Sequence, residues 1–223
     1  MKANLFNITL SLLVILASCS DNEMNAQTQS TSLEQRVGGQ CEGCEAIYEN
    51  KTPFSKLDWS LTLPGYNDHG PKLHISGTVY KADGKTPAAG TVLYFYHTDR
   101  KGIYPEGNET GWGRRHGYIR GWLKTNEKGQ YSIKTLKPGA YPNRGAAAHI
   151  HCIVKEANLN EYYVGDFLFE DDPLLSSEDK TNTKVPGGNG VLKLQERNGV
   201  LYAERNIYLG KNVRDYPVSK TTR

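Results

Sequence analysis

From Lys72 onward the chain alternates apolar and polar residues with a period of two, starting at Leu73-His74-Ile75-Ser76-Gly77-Thr78-Val79-Tyr80 and breaking at a turn, Asp83-Gly84. Successive side chains of a strand point to opposite faces, so this pattern specifies a pleated segment with one buried face. Thr91 to His97 is a nearly continuous apolar and aromatic run, as expected of a strand in the middle of a sandwich. Trp122 to Thr135 predicts a hairpin closing through Asn126-Glu127-Lys128-Gly129, with Tyr131 and Ile133 alternating on the return. Ala148 to Val154 and Val164 to Phe169 predict two more strands, and Leu192 to Leu209 a second hairpin turning at Asn198-Gly199. Strands at this spacing, with no helical periodicity between them and no internal repeat, predict an all-β domain over 72–215, a sandwich or barrel with long connecting loops. Composition agrees: among 223 residues, Gly 23, Tyr 14 and Pro 10 against Met 2 favour a turn-rich sheet protein. A net charge of +3, scattered along the chain, excludes a nucleic-acid surface, which needs Lys and Arg gathered on one face.

The N-terminal region is of another kind. Lys2 precedes an apolar run from Leu5 to Leu16 that is too short to span a bilayer stably and predicts a signal peptide over residues 1–18. The run ends in Leu16-Ala17-Ser18-Cys19, which resembles a lipobox, so Cys19 is expected to be lipidated and to become the mature N-terminus. Acyl chains anchor a protein by burying methylenes in the membrane. The expected location is therefore exported and lipid-anchored to a bacterial membrane, the outer membrane or cell surface in preference to the inner. Residues 19–36, rich in Ser, Thr, Asn and Gln, read as a flexible tether. Residues 37–71 read as an N-terminal extension containing Gly39-Gln40-Cys41-Glu42-Gly43-Cys44. A C-x-x-C pair serves as a redox couple, half a zinc site or a small disulfide. With no second C-x-x-C and no βαβ pattern around it, a disulfide between Cys41 and Cys44 is the favoured reading for an exported chain.

His149-Ile150-His151 is the sharpest chemical signal, because side chains two apart on a strand share a face and can present two imidazoles to one metal. Many H-x-H sequences are surface or hydrogen-bonded histidines, so the context matters. Upstream, Lys137-Pro138-Gly139-Ala140-Tyr141-Pro142 holds a tyrosine between two rigid prolines. Further upstream, His97-Thr98-Asp99-Arg100-Lys101-Gly102-Ile103-Tyr104 ends another strand with a second tyrosine.

These elements, with Gly77 to Gly90 before them, Arg120-Gly121, Thr125 and Gly129-Gln130-Tyr131 between them, and Phe169-Glu170-Asp171-Asp172-Pro173 after them, resemble in order the intradiol ring-cleavage dioxygenases. The resemblance covers roughly Gly77 to Pro173. It implies a β-sandwich of the intradiol dioxygenase type and one Fe(III) held by Tyr104, Tyr141, His149 and His151. Two phenolates and two neutral imidazoles suit ferric better than ferrous iron, and the phenols must lose their protons to the metal's charge. The implied partners are a small aromatic diol of the catechol type and dioxygen. Tyr141 would yield its place to the diol and act as a base, and the ring would open between the hydroxylated carbons to a muconate-type diacid, a step of aromatic compound catabolism.

Two positions depart from the family pattern. Ala146 stands where the family usually has an arginine that steadies charge on the substrate, and Asp166 where it commonly has a glutamine. Losing a preorganised donor at a developing charge reduces rate on the order of a hundredfold or more. Arg144, two residues before Ala146, is the candidate to reach the same space as a second catalytic residue beside Tyr141. Arg114, Arg115 and Asp166 are the candidate substrate-binding residues, against the alternative that the arginines are solvated loop charges. Tyr94, Tyr96, Tyr131 and Tyr208 read as packing residues, Cys152 as a core thiol facing away from the histidines, and Val185-Pro186-Gly187-Gly188-Asn189-Gly190 as a loop rather than a phosphate cradle.

Two other readings stand beside a catechol-cleaving enzyme. Residues 77–87 also suit transthyretin-like and carboxypeptidase-regulatory-like sandwiches, which are non-catalytic binding modules without metal. The altered residues around the iron ligands suit an iron protein of this fold with another substrate. Assembly into a homo-oligomer is left open by the sequence.

Overall fold

The computed structural model describes residues 34–217. The signal peptide, Cys19 and most of the expected tether lie outside the described residues. Two mixed sheets face one another. The first comprises β1 (Ser60–Thr62), β5 (Gln130–Leu136), β2 (Lys72–Tyr80), β10 (Val200–Glu204) and β9 (Gln195–Arg197) in that order, with β11 (Ile207–Tyr208) also paired to β2. The second runs β4 (Arg120–Lys124), β3 (Val92–His97), β6 (His149–Lys155), β7 (Tyr162–Phe169), β8 (Val191–Leu192). Two short helices, α1 (Gly113–His116) and α2 (Ser177–Thr181), lie in the connections. The fold is an all-β sandwich.

The period-two residues fill the space between the sheets. Leu73, Ile75 and Val79 of β2 and Tyr131 and Ile133 of β5 meet Leu93 and Phe95 of β3, Ile150, Cys152 and Val154 of β6, and Phe167 of β7. At about 25 cal/mol per Å² of apolar area removed from water, this layer is the main source of stability. The hairpin predicted at Leu192 to Leu209 is β9 turning into β10 in antiparallel pairing, with Asn198 at φ 52° and Gly199 at φ 75°, the backbone of a type I′ turn.

The hairpin predicted across Asn126 to Gly129 is a correction. The turn exists, with Gly129 N–H donating to Asn126 O at 2.8 Å, but β4 pairs with β3 and β5 pairs with β2 and β1. The two strands enter opposite sheets and place Leu123 and Ile133 in the same core. A tight turn encodes the reversal of the chain and not which partner each strand takes.

The N-terminal boundaries also differ from expectation. Gln35 bridges to Leu159, and Val37 is buried in the main core, so the sandwich gathers residues from the end of the expected tether. Within the expected extension, β1 adds an edge strand parallel to β5. The 3₁₀ turn Cys44–Glu49 buries Cys44, Ala46 and Ile47 against the outer face of the second sheet, over Val92, Tyr94, Tyr96 and Ile153. A three-residue strand and a six-residue 3₁₀ segment are too short for a hydrophobic pattern to repeat, which is why this region reads as an appendage.

His97, the last residue of β3, is fully buried; Nδ1 meets Thr98 O at 2.7 Å and Nε2 meets Thr135 Oγ1 at 2.7 Å. Burial, above all, lowers its pKa to about 4. The folded state resists the proton that an unfolded histidine accepts near its ordinary pKa, so stability falls as pH drops from about 6.5 toward 4, by on the order of 3 kcal/mol from this residue. Urea unfolding of chelator-treated protein across that window should show this decline. His97→Asn should be less stable at pH 7 and flatter between pH 6.5 and 4; an unchanged slope would exclude His97 as the source.

Candidate metal centre

Strand β6 carries His149 and His151 on the outer face of the second sheet, while Ile150 between them is fully buried in the core. Tyr104 comes from the loop after β3. Asp99 shapes that loop: its Oδ1 accepts from Lys101 N at 2.8 Å and Ile103 N at 3.0 Å. Tyr141 comes from the loop after β5, and the two loops are tied together. Gly139 N–H donates to Asp99 O at 2.8 Å and Thr98 Oγ1 to Gly139 O at 2.9 Å. Gly102 stands at φ 77°, and a Cβ there would lie 1.8 Å from Ala140 O. Only glycine allows both that backbone and that approach.

The four side chains meet at their polar tips. Tyr104 Oη is 2.5 Å from Tyr141 Oη and 2.9 Å from His151 Nε2; Tyr141 Oη is 3.2 Å from His149 Nε2 and 3.3 Å from His151 Nε2. Both imidazoles are tied from behind. His149 Nδ1 lies 2.7 Å from Ala147 O, a carbonyl that only accepts, so its proton is there and Nε2 offers a lone pair. His151 Nδ1 lies 2.8 Å from Asp166 Oδ1 and leaves Nε2 for the same point. Tyr96 forms one wall, its ring stacked at 4.5 Å on His151 and at 3.8 Å on His116. Asp172, in the acidic turn, accepts from Ala148 N at 2.9 Å and so fixes the entry into β6.

Electrostatics sharpen the arrangement. Burial, then the neighbouring Tyr141, push the Tyr104 phenol well above its ordinary range, and burial raises that of Tyr141. Burial keeps His149 below the usual histidine value. For Asp166 burial acts upward, but the close contact and charge of His151, with His149 and Tyr163 nearby, hold the carboxyl below its ordinary value. Two protonated phenols and two imidazole lone pairs thus converge with roughly 3 Å spacing, the spacing that donors take around one ion with bonds of about 2 Å. Phenols held this far up ionise only beside a strong positive charge, which a hard trivalent cation supplies. The donor set fits ferric iron.

The other predicted residues divide. Arg144 is exposed, with its guanidinium 5.7 Å from the centre of the Tyr141 ring. Arg115 pairs with Glu42 at 2.6 Å over Trp112, toward the Cys41–Cys44 loop and not toward the tyrosines; Arg114 is exposed on the same turn. Cys41 and Cys44 are joined, with Cα atoms 5.6 Å apart, and Cys44 is buried. Cys152 lies in the main core. Asp166, expected to bind substrate, stands behind His151, at the ring nitrogen opposite the one that faces the tyrosines. Asp99, Gly102 and Asp172 lie within the motifs that carry the family resemblance, but what each does in shaping the site, and the stacking of Tyr96, which read as a packing residue, had no sequence signal of their own.

Gly102→Val should separate the two tyrosine loops. If the four side chains hold ferric iron, its stoichiometric uptake by the purified protein should be lost in this variant, with less than a 10 °C fall in the unfolding midpoint, consistent with a local backbone effect of about 2 kcal/mol. Full iron uptake by this variant would refute the role of the close approach.

Residues 45–203 match the family described as Dioxygenase. Catechol 1,2-dioxygenase 1 of Acinetobacter lwoffii is 35% identical over 124 residues, which span 48% of this chain and 39% of that protein. The chain thus spans about two fifths of the length of the curated relatives it matches. Among solved structures, the dioxygenase domain of a dioxygenase carbohydrate-binding protein fusion from Streptomyces sp. SirexAA-E is 22% identical with a TM-score of 0.52, over 72% of this chain and 94% of that one. The 3-chlorocatechol 1,2-dioxygenase of Rhodococcus opacus 1CP is 22% identical with a TM-score of 0.52, over 68% of this chain and 65% of that one. These two likenesses speak to the sandwich alone. The family match runs from the 3₁₀ turn at Cys44–Glu49 to within β10 and takes in all four converging side chains, and on it the chain belongs to the dioxygenase family, of the intradiol ring-cleavage type.

Proposed function

We propose that this chain is a non-haem Fe(III) dioxygenase that cleaves a catechol-type diol between its hydroxylated carbons, with Tyr104, Tyr141, His149 and His151 as iron ligands. One observation carries the reading: Tyr141 Oη lies within 3.3 Å of Tyr104 Oη, His149 Nε2 and His151 Nε2, and each imidazole faces a partner at its other nitrogen. A binding module without metal has no use for that convergence. Bound ferric iron would supply a Lewis acid for the two diol oxygens and activate the ring toward dioxygen.

The chain's own groups have separate tasks. Tyr141, on a loop and beside both histidines, is placed to accept the diol proton at Oη. His149 and His151, on a central strand, hold fixed positions while it moves. Arg144 brings a positive charge over the Tyr141 ring, where negative charge gathers on the bound diol. Tyr96 and the covering 3₁₀ turn keep water from the back of the site.

A second reading keeps the iron and changes the substrate. It rests on Ala146, which offers no donor where the family usually has arginine. We further propose that the protein is exported and anchored through a lipid on Cys19.

Oxygen uptake should be measured on iron-loaded protein with a panel of catechols, alongside ultraviolet detection of a muconate-type diacid. Uptake with one equivalent of diacid supports ring cleavage, and uptake with none of the panel overturns it. Tyr141→Phe should lower kcat on the order of a hundredfold. Arg144→Ala should lower it at least tenfold; a variant at full rate would remove Arg144 from the site. In a bacterial host, Cys19→Ser should move the protein from the detergent-soluble membrane fraction to the soluble fraction, and no change would exclude the anchor.

A further inference from the structure

Asp166 occupies the position where the family commonly has glutamine, and its carboxylate is built into the strand rather than laid on the surface. Pairing between β6 and β7 shifts register between Ile150, opposite Phe167, and Cys152, opposite Val164, so His151 faces two residues, Gly165 and Asp166. Such a bulge re-aims a side chain. The backbone around it is pinned on both sides. Gly165 N–H donates to Pro186 O at 2.8 Å, and Leu168 N–H to Gly190 O at 2.9 Å. A Cβ at Gly190 would lie 1.9 Å from Asp166 O, so no other residue lets that loop approach. The buried guanidinium of Arg205 donates to Gly165 O at 2.7 Å and lies 4.0 Å over the Phe167 ring.

The result is an asymmetry between the two imidazoles. His149 has a neutral carbonyl at Nδ1, Ala147 O at 2.7 Å; His151 has a carboxylate there, Asp166 Oδ1 at 2.8 Å. A carboxylate on the far nitrogen raises the donor strength of the near one more than a carbonyl does. Resting on the ferric reading above, we propose that Asp166 is a positioning residue that acts through His151: it makes His151 the stronger imidazole donor, favours ferric over ferrous iron, and lowers the iron's demand on the two phenolates. An amide at the same place holds the ring but lacks the charge.

The test uses the iron-loaded full chain as wild type, Asp166→Asn and Asp166→Ala, read by visible absorption, Fe(III)/Fe(II) potential and retained iron. Less donation from His151 leaves the iron more electron-poor. In Asp166→Asn the phenolate-to-iron band should therefore move to longer wavelength and the potential should rise, with iron still bound. In Asp166→Ala both shifts should persist and iron affinity should fall 10- to 100-fold, as on loss of an outer partner of a ligand. Asp166→Asn keeps the test decisive if the alanine variant does not fold. Band and potential unchanged in Asp166→Asn would overturn the proposal while leaving the ferric site intact. Complete loss of iron from Asp166→Asn, with iron retained by Tyr104→Phe, would make Asp166 itself a ligand and overturn it as well. An iron-bound wild type without a visible band would overturn the ferric reading first, and this proposal with it.

Discussion

The site depends on one buried side chain. Ile150 is fully enclosed between the sheets, and its burial turns His149 and His151 together to the opposite face. A slip of one residue in β6 would bury both imidazoles and expose Ile150. The register is fixed on both sides, since β6 is the middle strand of its sheet and pairs with β3 and β7. Every other part of the centre is arranged around that register. The two tyrosine loops are laced to each other through Asp99, Gly102 and Gly139, and the acidic turn grips the start of β6 through Asp172.

The strands were largely legible because their cores follow period two. Leu73, Ile75, Tyr131, Ile133 and Ile150 are buried where alternation puts them. Which strands pair was less legible. The turn at Asn126 to Gly129 looks the same whether it joins partners or sends the chain across the sandwich, and the difference is decided by long-range packing of Leu123 and Ile133. The residues between Gln35 and Thr62 do not read as part of the sandwich because their elements, a three-residue strand and short 3₁₀ segments, are too short for a hydrophobic pattern to repeat.

The centre was legible to a similar degree. Four polar side chains from three separate segments, each on a strand or a turn-rich loop, meet at their tips, and that they hold iron is the proposal made above. What surrounds them was not legible, because it depends on which face and which end of a ring a neighbour meets. Asp166 shows this well: two residues of β7 oppose one of β6, and that bulge carries the carboxylate behind His151. The extension likewise gained meaning only in three dimensions, where its 3₁₀ turn covers Tyr94 and Tyr96 beside the histidines.

The centre holds two phenols whose protons burial makes hard to remove, so on the proposed ferric reading ligand ionisation and metal binding would be one event. The most direct measurement is resonance Raman spectroscopy on protein carrying one equivalent of ferric iron, excited within its visible absorption. The account predicts tyrosinate ring modes from two phenolates, with Tyr104→Phe and Tyr141→Phe each removing one set. Iron bound in equimolar amount with no tyrosinate modes would contradict it.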